Sequence, residues 1–207
     1  GAFMYALTAK AMRYMDEYTI GKGIPSAVLM ENAAGGLVNE IISRFSDKDT
    51  EVLIVVGHGN NGADGLCAAR WLIHLGYVVN VYFVGDRSKV SCAFTDQLRI
   101  LTSMSKSFRM YGLGSRDDLK TLQQRYDVII DGIFGIGLNR RFGSNFAKFI
   151  EYLNTKSGFK VAIDIPSGLN ATTGGIMDAV FKADLTVTFG NYKTGMFFGD
   201  GRAVSGA

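Results

Sequence analysis

Carboxylates, carboxamides, a hydroxyl and a lysine recur in four short glycine-bearing stretches of this 207-residue chain. The first is Gly57-His58-Gly59-Asn60-Asn61-Gly62-Ala63-Asp64-Gly65 and the second Asp131-Gly132-Ile133-Phe134-Gly135-Ile136-Gly137-Leu138. The third is Asp164-Ile165-Pro166-Ser167-Gly168-Leu169, and the fourth Gly190-Asn191-Tyr192-Lys193-Thr194-Gly195. Gly57, Gly59 and Gly62 satisfy G-x-G-x-x-G, a pattern that lets backbone N–H groups approach a phosphate at a helix N-terminus. An ordinary tight βα turn would use the same residues. Asn60 and Asn61 add oriented donors and acceptors, and Asp64 suits either a ligand contact or the N-cap of a following helix.

Asp131 and Asp164 would each serve singly as a turn or capping aspartate. Together, two carboxylates on neighbouring strand ends repel unless a cation or proton intervenes. Asn61, Asp131 and Ser167 offer only oxygen ligands, which suits a hard cation, while zinc and copper lack clustered Cys and His. Arg140 and Arg141 could meet phosphate oxygens or form a solvated pair at a helix start. His58 reads as a loop histidine facing water, and His74 as structural.

These stretches need elements to carry them. Apolar, β-branched runs predict strands at 51–56, 77–84, 126–130, 160–163 and 183–189, with a weak one at 107–111. Helical spacing predicts helices at 64–75, closed by Gly76, and at 93–104, 117–125 and 145–154. Ahead of residue 51, Leu7, Ala11, Met12, Met15 and Tyr18 recur at helical spacing behind Thr8 as N-cap. A second apolar stripe follows Pro25, which suits a first helical turn. Strands alternating with amphipathic helices mean an α/β fold: a doubly wound, mostly parallel sheet in a three-layer α/β/α sandwich, with an N-terminal helical extension. The polar stretches each follow a strand, and ligands of such sheets bind outside the carboxyl ends of the strands.

Composition bounds the rest. At 47% hydrophobic and 20% charged with 2 prolines, the chain is neither disordered nor collagenous, and 207 residues fit one domain, 1–207. No apolar run approaches a membrane span, and no signal peptide is expected. A net charge of +3 without a basic block does not imply nucleic acid. Cys67 and Cys92 make neither a disulfide framework nor a zinc site, so a reducing, cytoplasmic setting is expected.

The quoted stretches, with Leu7-Thr8-Ala9, Gly23-Ile24-Pro25, Leu29-Met30-Glu31-Asn32-Ala33 and Thr188-Phe189-Gly190, resemble the YjeF N-terminal domain family of NAD(P)H-hydrate epimerases. The resemblance spans nearly the whole chain. It implies a Rossmann-like, homodimeric isomerase that interconverts the R and S hydrates of NADH and NADPH (NADHX and NADPHX). An ADP- or ATP-dependent dehydratase, in some bacteria fused C-terminally, then repairs the S form. Carried over by position, substrate contacts fall on Asn60, Asn61, Gly62, Ala63 and Asp64, on Gly135, Ile136, Gly137, Leu138, Asn139, Arg140 and Arg141, and on Asp164. Potassium ligands fall on Asn61, Asp131 and Ser167. Ala63 stands where the family usually has glycine, the 135–141 loop is variable, and a further strand would follow Ala207.

Inverting the hydroxyl-bearing carbon needs no redox step. Loss of hydroxide to an iminium, or ring opening to an aldehyde, flattens the centre before re-addition, and either route needs a group that gives and takes a proton. Asp164 is the candidate catalytic acid–base. Competing readings are a nicotinamide dehydrogenase, with Asp86 as ribose-binding acid, and a non-catalytic nucleotide- or protein-binding module of the same fold.

Overall fold

Apolar runs become central strands here because both of their faces are covered. In the computed structural model, which describes residues 6–7, 23, 25–112, 116–133, 144–169, 179–187 and 192–193, strands and helices alternate as far as β6. They are β1 (Ala6–Leu7), α1 (Ser26–Arg44), β2 (Glu51–Val56), α2 (Asn60–His74), β3 (Val78–Phe83), α3 (Cys92–Met104) and β4 (Met110–Gly112). The second half adds α4 (Arg116–Gln123), β5 (Val128–Gly132), α5 (Ser144–Thr155), β6 (Phe159–Ile163), β7 (Leu185–Val187) and β8 (Tyr192–Lys193).

Strands β2 to β7 form one sheet in the order β4-β3-β2-β5-β6-β7, with every neighbouring pair parallel. Alternation along β2 divides the core in two. Val52, Ile54 and Val56 face a cluster with Leu37, Val38 and Ile41 of α1, Leu66 and Leu72 of α2, and Phe94 and Leu101 of α3. Leu53 and Val55 face the opposite cluster, where Leu122 of α4 meets Phe149, Ile150 and Leu153 of α5. The three layers expected from the sequence are therefore present. The helix ahead of β2 is not an appendage, since α1 buries Ala33, Ala34, Leu37, Val38 and Ile41.

Three boundaries differ from the sequence reading in ways that matter for the site. Helix α2 begins at Asn60 rather than Asp64, because Gly59 in extended backbone (φ −90°, ψ −166°) is its N-cap. Asp64 is thus a residue of the helix and not its cap. Strand β5 runs to Gly132, so Asp131 lies within the strand instead of after it. Leu7 belongs to a short strand whose partner is Lys193, not to a helix. That pairing joins the two ends of the chain and has no local signal. Thr8 and the remainder of the expected first helix lie outside the described residues. Pro25 is the N-cap of α1, one residue ahead of the first turn.

Helix α2 ends as its sequence predicts. Gly76 takes φ 92°, its N–H donates to the Ile73 carbonyl, and the Tyr77 N–H donates to the Leu72 carbonyl. These two bonds close a Schellman motif and turn the chain directly into β3. Among the described residues, no helix is long and apolar enough to cross a membrane.

Candidate active site

The strand order places the topological switch point between β2 and β5: the chain winds outward to β3 and β4, then crosses to β5, β6 and β7. In sheets of this kind ligands bind at that point, outside the carboxyl ends of the strands. The Gly57 N–H donates to the Gly132 carbonyl at 3.0 Å, so the two strand ends are held side by side. A Cβ on Gly57 would sit 2.3 Å from the Ile133 carbonyl oxygen, and one on Gly62 would sit 1.9 Å from the Gly57 carbonyl oxygen. Glycine is required at both for the turn to pack. Gly59 has nothing within 4 Å of its Cβ position. Its face of the turn is open, as the middle glycine of a phosphate-approaching loop must be. With glycine as N-cap, no capping side chain at that position bonds the first N–H groups of α2. They offer the positive end of a 15-residue helix at that edge of the sheet.

Asp131 is fully buried at the end of β5. Its Oδ1 accepts from the Ile133 N–H at 3.1 Å and from Ser167 Oγ at 2.5 Å, and its Oδ2 accepts from the Ser167 N–H at 2.8 Å. Burial pushes its pKa up to about 6, against the opposing pull of the Ser167 and Ile133 hydrogen bonds. The Ile133 N–H was not singled out from sequence, although an aspartate turning back on the residue two ahead is a recognisable local signal.

Asp164 follows β6, the strand beside β5, and is 8% exposed. It adopts φ 69°, the left-handed conformation that β-carbon-bearing residues avoid. Its N–H donates to the Val187 carbonyl at 2.7 Å, which fixes it between β6 and β7. Three residues on, the same loop delivers Ser167 to Asp131, and the Phe181 N–H fastens that loop by donating to the Ser167 carbonyl at 2.9 Å. Sequence gave no hint of Phe181, because only tertiary contact brings 179–181 to this edge.

Asn61, in the first turn of α2, is buried, and its backbone carbonyl lies 3.3 Å from the Cβ position of Gly132. Neither its side-chain oxygen nor its side-chain nitrogen has a hydrogen-bond partner among the described residues. A buried carboxamide without partners is costly unless a ligand completes it. The Asn61 carboxamide, the Asp131 carboxylate and the Ser167 hydroxyl offer only oxygen donors to a metal. Such a set fits a hard cation. Among the described residues, no group of three His, Cys, Asp or Glu could hold a metal of the zinc type.

The remaining predicted residues divide. Asn60 is exposed at the start of α2, and Ala63 is buried in its first turn, with its N–H donating to Gly59. Alanine is an ordinary helical residue there, so its replacement of the family's glycine leaves the loop intact. Asp64 lines a small groove with Ala33, Ala34 and Leu37 of α1, Ile163 and Val187. The wall from α1 was not foreseen. Gly135, Ile136, Gly137, Leu138, Asn139, Arg140 and Arg141 lie outside the described residues, and Lys193 is placed only as backbone in β8. His58 is half-buried, with Nδ1 accepting from the Asp86 N–H at 3.4 Å, so it ties two loops together where the sequence pointed to water. His74 is exposed at the end of α2.

Fold and site together define a Rossmann-like α/β protein with buried polar groups at the carboxyl ends of its central strands. The chain belongs to the family described as YjeF-related protein N-terminus, whose model matches residues 26–195. It is 40% identical to the NAD(P)H-hydrate epimerase of Weissella koreensis, with 98% of this chain and 88% of that protein aligned. It is 38% identical to the NAD(P)H-hydrate epimerase of Limosilactobacillus fermentum, over 97% of this chain and 93% of that one. The crystal structure of yeast ynu0 shares the fold, with a TM-score of 0.81, 20% identity, and 94% of this chain and 84% of that chain covered.

Proposed function

We propose that this protein is an isomerase, an NAD(P)H-hydrate epimerase that interconverts the R and S forms of NADHX and NADPHX and so serves nicotinamide nucleotide repair. The observation that carries the reading is the shielded carboxylate of Asp164 at the carboxyl end of β6, in a chain whose relatives, matched over most of their length, bear that name. Asp164 is the acid–base: it protonates the departing hydroxyl, or withdraws the hydroxyl proton as the ring opens, and reverses the transfer when the other face is closed. Positioned acid–base catalysis contributes about 10² to 10⁴-fold.

Backbone N–H groups of Asn60, Asn61 and Gly62 at the start of α2 bind the pyrophosphate, and Ala63 and Asp64 complete that wall. The 135–141 stretch, with Arg140 and Arg141, supplies further substrate contacts. Asn61, Asp131 and Ser167 hold potassium, and the support for this is the orphaned Asn61 carboxamide and the oxygen-only donors of the three side chains. A bound potassium ion would supply fixed positive charge that balances Asp131 and orders the loops. We further propose a homodimer in the cytoplasm, supplying the S hydrate to an ADP- or ATP-dependent dehydratase. The non-catalytic reading of the same fold has no support in the names of the relatives or in the residues retained.

The test is direct. An R-enriched mixture of each hydrate is followed by chiral chromatography with and without protein, in potassium and in sodium. Accelerated return to the equilibrium ratio is expected with protein. Rates equal to those without protein, in both salts, would remove the enzymatic reading.

A further inference from the structure

If Asp164 acts on the nicotinamide carbon, the reacting end of the dinucleotide lies on the β6 side of the switch point. Its pyrophosphate rests on α2, so the adenosine end must run the other way, over the carboxyl ends of β3 and β4. What stands there is the turn Gly85-Asp86-Arg87-Ser88-Lys89-Val90-Ser91. It is fastened to the phosphate-approaching loop. The Ser91 N–H donates to the His58 carbonyl at 2.9 Å, and the His58 ring sits 2.8 Å from the Cβ position of Gly85.

In dinucleotide folds an acid at this place binds the ribose hydroxyls and repels a 2′-phosphate, whereas an arginine accepts it. Asp86 is the only acid of the turn, and its exposed carboxylate is bent onto Ser88 of the same turn. Oδ1 accepts from the Ser88 N–H at 2.9 Å and from Ser88 Oγ at 2.6 Å, while Oδ2 lies 4.0 Å from Lys89 Nζ. Asp86 is therefore engaged in shaping its own turn. Arg87 is differently placed. Its guanidinium lies 5.8 Å from the Phe83 ring centroid, and Nη2 is 3.1 Å from the Cβ position of Gly112, so it is laid across the ends of β3 and β4. It makes no ion pair among the described residues. A planar, unpaired guanidinium with a lysine beside it is a phosphate-binding arrangement.

We infer that Arg87, assisted by Lys89, receives the 2′-phosphate of the adenosine ribose, making the protein prefer NADPHX to NADHX. This rests on the proposed epimerase reading and adds its substrate preference. Arg87 contacts a part of the substrate remote from the reacting carbon, so it sets specificity and is not a catalytic residue. A charge-assisted hydrogen bond of this kind is worth on the order of tenfold in affinity.

The experiment titrates NADP⁺ and NAD⁺ into the intact protein by calorimetry, alongside kcat/KM for both hydrates, with wild type, Arg87→Gln, Arg87→Lys and Lys89→Gln. Arg87 is exposed, and a melting curve for each variant verifies folding. NADP⁺ is expected to bind wild type more tightly than NAD⁺. Arg87→Gln should cost roughly tenfold for NADP⁺ and NADPHX while leaving NAD⁺ and NADHX unchanged, with partial recovery in Arg87→Lys. Equal losses for both nucleotides, or no change for either, would overturn the assignment while active wild type keeps the epimerase reading. A wild type that binds neither nucleotide and epimerises neither hydrate removes both.

Discussion

At Asp164 the backbone conformation and the chemistry are coupled. A left-handed φ of 69° disfavours most side chains by about 1–2 kcal/mol, but asparagine shares the tolerance of aspartate for that region. Asp164→Asn therefore removes the transferable proton without disturbing the turn. Its melting temperature is expected to stay close to wild type, while the epimerisation rate followed by chiral chromatography falls by at least about 100-fold. Wild-type turnover by a normally folded Asp164→Asn protein would exclude Asp164 as acid–base.

The two cysteines offer a second contrast among single residues. Burial, chiefly, and the neighbouring Glu31 carboxylate push the Cys67 thiol up to about 12, whereas Cys92 is exposed at the start of α3. Iodoacetamide at pH 8 should modify Cys92 and spare Cys67 in the folded protein, as read by peptide mass analysis. The native thiol holds its proton where an unfolded one has lost it. Stability is thus unaffected by Cys67 at neutral pH and is lost progressively as pH rises from about 9 towards 12.

Among the elements, the β2–α2 unit is tightly constrained. The Gly62 Cβ position lies 1.9 Å from a backbone oxygen, which no rotamer change can relieve. Gly62→Ala must move the first turn of α2 away from β2, with an expected cost on the order of 1–3 kcal/mol in urea unfolding. Because the same turn presents the N–H groups proposed to hold the pyrophosphate, nucleotide affinity should fall with it. Ala63→Gly, one residue along, should lower affinity far less, since its backbone fits the helix with either residue. Unaltered stability in Gly62→Ala would show that the loop can rearrange freely.

For the molecule as a whole, the proposed cation links three segments distant in sequence: the start of α2, the end of β5 and the loop after β6. A ligand that binds only the folded state stabilises it by RT ln(1 + [L]/Kd), about 2.7 kcal/mol at a concentration of 100 Kd. Exchanging sodium for potassium at constant ionic strength is therefore expected to raise the melting temperature of wild type. Asn61→Ala, which deletes the unpartnered carboxamide while sparing the Asp131–Ser167 hydrogen bonds, should abolish that rise. Equal potassium shifts in the two proteins would remove Asn61 from the site.

Much of this was legible in the chain itself. The β-branched run at 51–56 is both the predicted and the observed β2, and the glycine at 76 closes α2 as its position indicated. Alternating apolar runs and helical stripes carry that information locally, because burial on two faces or one leaves a period in the sequence. The same periodicity put the polar stretches after strands and hence at one edge of the sheet. It could not order the strands, and so could not place the switch point between β2 and β5. Nor could it reveal that Ser167 turns back onto Asp131, that His58 leans on Gly85 or that β1 meets β8. Each of these depends on segments far apart in the chain arriving at one place, and the contacts that decide them exist only once the sheet has assembled.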